Sequence, residues 1–265
     1  MYTISGVTSL AAERKALLFT VGGVRLALRL SQVREILEVG AGGGDVVARG
    51  DSYPVAFVST VLGLPGGEAP YALLTESTPR AALRVDRLHG IIDLVDAEVF
   101  QIPAHTRLPQ PPPFAGAIVA KGELSLELAP PAIGWEPLPP AADRGEPLVD
   151  AGASGERELV FVRGGRRYGV PMSYLIRIIE QPRIAPVPLA PPSHLGLLYQ
   201  ARTLHPVVDV AVLHGDPPPP EVARTVILDA GGSEVALAAD RIERVGAVPA
   251  GEDVLRPVWD TLLAG

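Results

Sequence analysis

Histidine, serine, aspartate and glycine are the residue types here that could do chemistry, and their spacing decides whether they do. The five histidines, His89, His105, His194, His205 and His214, show none of the His-x-x-x-His or Glu-x-x-His spacing that converges ligands on a metal. Asp86 and His89 with a distant serine could sketch a nucleophilic triad, but no Gly-x-Ser-x-Gly elbow presents a nucleophile. Gly40 to Gly44 invites comparison with a phosphate loop, yet it lacks the Gly-Lys-Ser or Gly-Lys-Thr that supplies charge and a magnesium ligand, and no long helix follows. The expectation is a chain with no catalytic residues, no metal and no cofactor.

The elements that carry these residues are duplicated. Phe19-Thr20-Val21-Gly22-Gly23 returns 142 positions later as Phe161-Val162-Arg163-Gly164-Gly165, and in that register Ser31 meets Ser173, Ile36 meets Ile178 and Glu38 meets Glu180. Tyr53-Pro54-Val55 precedes His205-Pro206-Val207 by 152 positions, and Val85-Asp86-Arg87-Leu88 precedes Ala239-Asp240-Arg241-Ile242 by 154. An offset that drifts this slowly marks loop insertions between two copies of one fold, at a period far beyond that of solenoids. Apolar runs on either side of Gly22-Gly23 and Gly164-Gly165 form the pattern of two-residue hairpins. Leu30 to Leu37 and Met172 to Ile179 read as short stretches of helical or mixed spacing, with Ser31 or Ser173 as N-cap. Two further strand pairs are expected, Tyr71 to Thr75 with Ala81 to Val85 and Thr225 to Asp229 with Glu234 to Ala238. Short strands with Gly and Pro punctuation predict a mainly β fold of small antiparallel barrels with short helices only. The copies are expected at 12–136 and 157–265, the second with a shortened C-terminal end, joined by a Pro/Gly/Ala-rich connection at 137–156.

The 265 residues, 47% hydrophobic and 20% charged, suffice for two cores. A net charge of −7 with scattered Lys and Arg offers no basic stripe for nucleic acid. No apolar run reaches the roughly 18 residues of a membrane span, and Glu13, Arg14 and Lys15 before Leu17 do not follow a signal peptide's order. No direct membrane insertion and a cytoplasmic location are expected, and the absence of cysteine suits a reducing compartment.

The order of motifs resembles the CheW family, adaptors that couple chemoreceptors to the chemotaxis histidine kinase. Val33-Arg34-Glu35-Ile36 resembles the family's Val-x-Glu-Ile, Ala48-Arg49-Gly50 its Leu-Arg-Gly, and Ala115-Gly116-Ala117-Ile118 through Leu128 its final hairpin. In copy two, Leu195-Gly196-Leu197-Leu198 and Leu204-His205-Pro206-Val207-Val208-Asp209-Val210 resemble Val-x-Gly-Val-x-Asn and Ile-Val-Pro-Val-Ile-Asp-Leu. The resemblance implies two tandem CheW-like domains, each a pair of five-stranded SH3-like barrels, with a kinase regulatory domain and a chemoreceptor cytoplasmic tip as partners. Carried over by position, the partner-binding residues are Val33, Glu35, Arg49, Gly50, Gly196 and Asp209. Arg49 has a planar fork that suits a partner's carboxylate, Val33 and Ile36 are expected in the core in part, and Glu35 is expected to turn outward. Copy two has lost the arginine to Ala201 and the Val-x-Glu to Leu175-Ile176-Arg177. The alternative is a structural or inhibitory module whose second domain has lost receptor binding.

Overall fold

The computed structural model describes residues 12–40, 44–76, 79–129, 136–143, 157–217, 219, 221–229, 232, 234–249 and 251–259. The chain divides into two compact units, one of Met1–Ile102 with Leu108–Pro140 and the other of Pro103–Arg107 with Ala141–Gly265. Residues 41–43 of the glycine run, and 144–156 of the expected connection, lie outside the described residues.

Unit 1 starts with β1 (Lys15–Val21) and β2 (Val24–Arg29), antiparallel and paired up to Val21↔Val24. Gly22 (φ 55) and Gly23 (φ 83) both take the left-handed conformation that a twist-matched two-residue turn requires. The Gly22 amide donates to Asp86 Oδ2 at 2.7 Å, which pins the turn. The chain continues through β3 (Val33–Glu38), β4 (Val46–Ala48), β5 (Asp51–Tyr53), β6 (Val55–Phe57), α1 (Val58–Val61), β7 (Tyr71–Thr75), β8 (Ala82–Val85), β9 (Arg87–Asp93), β10 (Glu98–Phe100), β11 (Phe114–Ala120) and β12 (Glu123–Leu128). One sheet has the order β10-β11-β12-β2-β1-β9, a second β3-β7-β8-β6, and β4 with β5 forms a separate hairpin. Two parallel pairings, β12 with β2 and β6 with β8, tie together strands that no hairpin could join. Alternate residues turn inward, so Ala16, Leu18, Ala27 and Ile118 fill one core and Val46, Tyr53, Ala72, Leu74 and Ala82 another.

Unit 2 repeats this plan with β13 (Arg157–Arg163), β14 (Arg166–Pro171), β15 (Leu175–Glu180), β16 (Ile184–Ala185), β17 (His194–Gln200), β18 (Thr203–Val208), α2 (Val210–Leu213), β19 (Arg224–Asp229), β20 (Glu234–Ala239) and β21 (Arg241–Ala247). Its sheets run β14-β13-β21 and β15-β19-β20-β18-β17-β16. The turn device recurs, with the Gly164 amide donating to Asp240 Oδ2 at 3.0 Å. Where unit 1 lays β12 beside β2, unit 2 lays one extended segment: Leu255 bridges Tyr168 in parallel, and Trp259 Nε1 donates to the Gly169 carbonyl at 3.0 Å. Each unit has an ion pair near this segment, Arg29 of β2 with Glu127 of β12 in unit 1 and Glu158 of β13 with Arg256 in unit 2.

The mainly β architecture of the SH3-like barrel type is what the chain adopts. Two details differ from expectation. Leu30 to Leu37 is a short 3-10 helix at Leu30–Gln32 followed by strand β3, and the matching stretch in copy two contains strand β15, so each is mainly strand. The first sheet of unit 2 holds three strands among the described residues rather than five, because the segment after β21 supplies one bridge in place of a hairpin.

Candidate functional site

The most distinctive exposed chemistry of unit 1 gathers around a β-bulge. Val33 pairs with Thr75 and Glu35 with Leu74, which leaves Arg34 as an extra residue. The bulge re-aims the side chains around it. Arg34 lies over the Tyr53 ring at 5.9 Å and reaches Asp51 Oδ2 at 3.1 Å and Glu76 Oε1 at 3.8 Å. The β4–β5 turn consists of Arg49 (φ 51) and Gly50 (φ 87), both left-handed. That turn sets the Arg49 Nε 3.1 Å from Glu35 Oε2, with the arginine side chain 52% exposed and the carboxylate 3%. Arg80 reaches Asp51 from the other side at 3.6 Å.

Glu35 therefore does not turn outward: it is buried beneath Arg49 and holds it. The arginine is anchored through Nε at one edge of its plane, and its half-exposed fork suits bidentate recognition of a carboxylate. Val47, 72% exposed in the same hairpin, adds apolar surface. In the same hairpin Ser52 Oγ donates to Asp45 Oδ2 at 3.1 Å, and among the described residues no group of three or more His, Cys, Asp or Glu could hold a metal ion.

The histidines serve structure or stand apart. His194 is buried, and that burial, together with the Arg107 charge, pushes its pKa down to about 4. Its Nδ1 lies 3.0 Å from Ser193 Oγ, which also bonds Asp143, and the ring meets the backbone of His105. With His105, Arg107, Val208, Leu213 and Val235 it lines a small cavity in unit 2. His105 is lowered by burial and then by Arg107, and exposed His89 by burial and then by Arg25 and Arg87.

A family profile described as the CheW-like domain matches residues 15–134 and again 158–252. The chain belongs to the CheW-like domain family. No curated protein matches it. Among solved structures it is similar to the scaffolding protein TtCheW from Thermoanaerobacter tengcongensis, at 15% identity over 42% of this chain and 94% of that one, with a TM-score of 0.38.

Within the two CheW-like domains the six residues singled out from sequence fall into two groups. Val33, Glu35, Arg49 and Gly50 come together at the unit 1 bulge and hairpin, with Val33 buried and Gly50 exposed in the turn. Gly196 and Asp209 lie in unit 2 and serve its interior. Gly196 sits at φ 140, and a Cβ there would fall 2.1 Å from the Ala185 carbonyl oxygen, so only glycine fits. Asp209 is fully buried: it caps α2 through the Ala211 amide at 3.1 Å and pairs with Arg163 Nη2 at 2.6 Å. Neither can touch a partner directly.

Sequence reasoning missed Arg163, a fully buried guanidinium held by Asp209, Asp240 and the Glu221 carbonyl. A charged residue in the apolar register where copy one has Val21 was the available signal. Asp86 and Asp240 each anchor a hairpin turn through a glycine amide.

Proposed function

We propose that this protein is a non-enzymatic cytoplasmic adaptor for chemotaxis signalling, coupling chemoreceptors to a CheA-type histidine kinase through its tandem CheW-like domains. Binding alone carries the mechanism. The observation that carries the reading is the Arg49–Glu35 pair: a half-exposed guanidinium fixed by a buried carboxylate at the family's Arg-Gly position. Prepaid orientation of that kind lowers the ordering cost of recognition. The expected partners are the kinase regulatory domain and the receptor's cytoplasmic tip. Two weak interfaces on one chain would act with avidity or crosslink a receptor–kinase assembly. No helix among the described residues is long and apolar enough to cross a membrane, and the acidic balance of the chain speaks against nucleic acid.

Arg49→Glu in the full chain tests this. The expected result is loss of binding to one of the two partners, at least tenfold, with the unfolding transition unchanged; unchanged affinity for both would overturn the role of Arg49. A second reading is favoured by one observation. Copy two has Ala201 at the Arg49 position and Arg177 at the Glu35 position. On that reading copy two regulates or braces copy one rather than binding receptor, and residues 1–140 would match the full chain in receptor affinity.

A further inference from the structure

The bulge that shapes the unit 1 surface recurs at the same place in unit 2. Leu175 pairs with Leu228 and Arg177 with Ile227, so Ile176 is the extra residue, as Arg34 is in copy one. What surrounds the bulge has changed. In copy one, Arg34 meets Asp51 and Glu76, Glu35 meets Arg49, and Arg80 shares Asp51, so the charges are neutralised in place. At the matching positions copy two carries Ala201 for Arg49, Thr203 for Asp51, His205 for Tyr53 and Glu234 for Arg80.

As a result, Ile176 is 41% exposed, Arg177 beside it is exposed, and among the described residues nothing hydrogen-bonds or ion-pairs with Arg177. The charge of Arg177 is felt by His205. His205 is buried, its pKa is lowered chiefly by that burial, and Arg177 lowers it further. Glu234 leans onto His205, with Oε2 3.3 Å from Nδ1.

We propose that this face of copy two docks an acidic protein segment, one that carries a carboxylate beside an apolar side chain. The guanidinium of Arg177 has a rigid donor fork and no internal carboxylate, so a carboxylate from outside completes it. Ile176 offers the adjacent apolar contact. In copy one the guanidinium at this face is Arg49, held by the buried Glu35, whereas in copy two it is Arg177, at the Glu35 position itself, so the two copies present their positive charge at different points of the bulge face. Arg177 and the exposed Arg202 of the β17–β18 turn, on a chain of net charge −7, do not make a phosphate-backbone surface. The assignment stands on copy two's own residues and is tested without kinase or receptor.

The test uses the full chain labelled with 15N and two soluble peptides, one alternating glutamate and leucine, the other lysine and leucine. The glutamate peptide is expected to shift the amide signals of Ile176, Arg177 and Thr203 saturably, and the lysine peptide is not. Arg177→Glu should weaken the glutamate peptide's effect at these amides at least tenfold, and Arg177→Lys should weaken it less. Absence of saturable shifts at these amides, equal binding of the lysine peptide, or affinity within twofold in Arg177→Glu would overturn the proposal.

Discussion

Arg163→Met would strip Asp209 of its ion-pair partner in the interior of unit 2. Both side chains are fully buried, and Asp209 Oδ2 accepts from Arg163 Nε at 3.0 Å and Nη2 at 2.6 Å. After the substitution Asp209 would keep only the Ala211 amide among its side-chain hydrogen bonds to described residues. Removing one partner of a buried pair leaves an uncompensated charge and costs about 3–5 kcal/mol. The contact to Asp240, whose side chain is 33% exposed, adds less than about 1 kcal/mol. With a urea dependence of roughly 2 kcal/mol per molar, the midpoint should fall by roughly 2 M. Urea unfolding of the full chain in a Trp135→Phe background makes the assay specific, because buried Trp259 bonds Gly169 within the same core. The double variant Arg163→Met/Asp209→Leu removes both charges; copy one holds apolar Val21 and Phe57 at these positions. It should recover most of the loss apart from the α2 cap, worth about 1 kcal/mol, so the coupling between the two substitutions should exceed about 2 kcal/mol. Additive losses, or a cost below about 1 kcal/mol for Arg163→Met, would refute the account of Arg163 as a buried charge held by Asp209.

Three further outcomes are expected. His194, at about 4 when folded against an unfolded value of 6.5, binds its proton in the unfolded state first, so unit 2 should lose stability as pH falls from 6.5 toward 4. The loss should total about 3 kcal/mol more in the wild type than in His194→Gln, read from urea unfolding at several pH values; parallel profiles would contradict it. Gly196→Ala should destabilise unit 2 by at least about 2 kcal/mol, because its φ is left-handed and its Cβ would strike the Ala185 carbonyl, and an unchanged midpoint would count against that geometry. Glu35→Gln should weaken the hold on Arg49 and reduce partner affinity in the same direction as Arg49→Glu while folding persists; circular dichroism with binding titration separates the two effects.

Much of the fold was legible because turn chemistry and strand period agree. Gly22-Gly23 and Gly164-Gly165 sit in the left-handed region that only a few residues tolerate, and alternating apolar runs flank them. The reading failed where a bulge broke the period. Inserting Arg34 turns the two-residue alternation of Val33, Glu35 and Leu37 into apolar residues at Val33, Ile36 and Leu37, which is the spacing of a helix. Alternation from Val33 sets Glu35 on the same face, but it says nothing of the arginine fourteen positions ahead that covers the carboxylate. At the candidate site, Arg49-Gly50 could be found by its resemblance to the family's Leu-Arg-Gly, and only Gly50 of the pair is a residue such a turn favours. The buried role of Asp209 could not, because its partner Arg163 lies 46 residues away and only the closed barrel brings them together.

The central claim is that the chain bridges two partners. The most direct measurement is surface capture of the chemotaxis kinase's regulatory domain, loading with the full chain, and then addition of the receptor's cytoplasmic tip. The account predicts a stepwise gain of both layers, with receptor retained only when the full chain is present. Failure of the full chain to bind either partner, or displacement of one by the other, would contradict it.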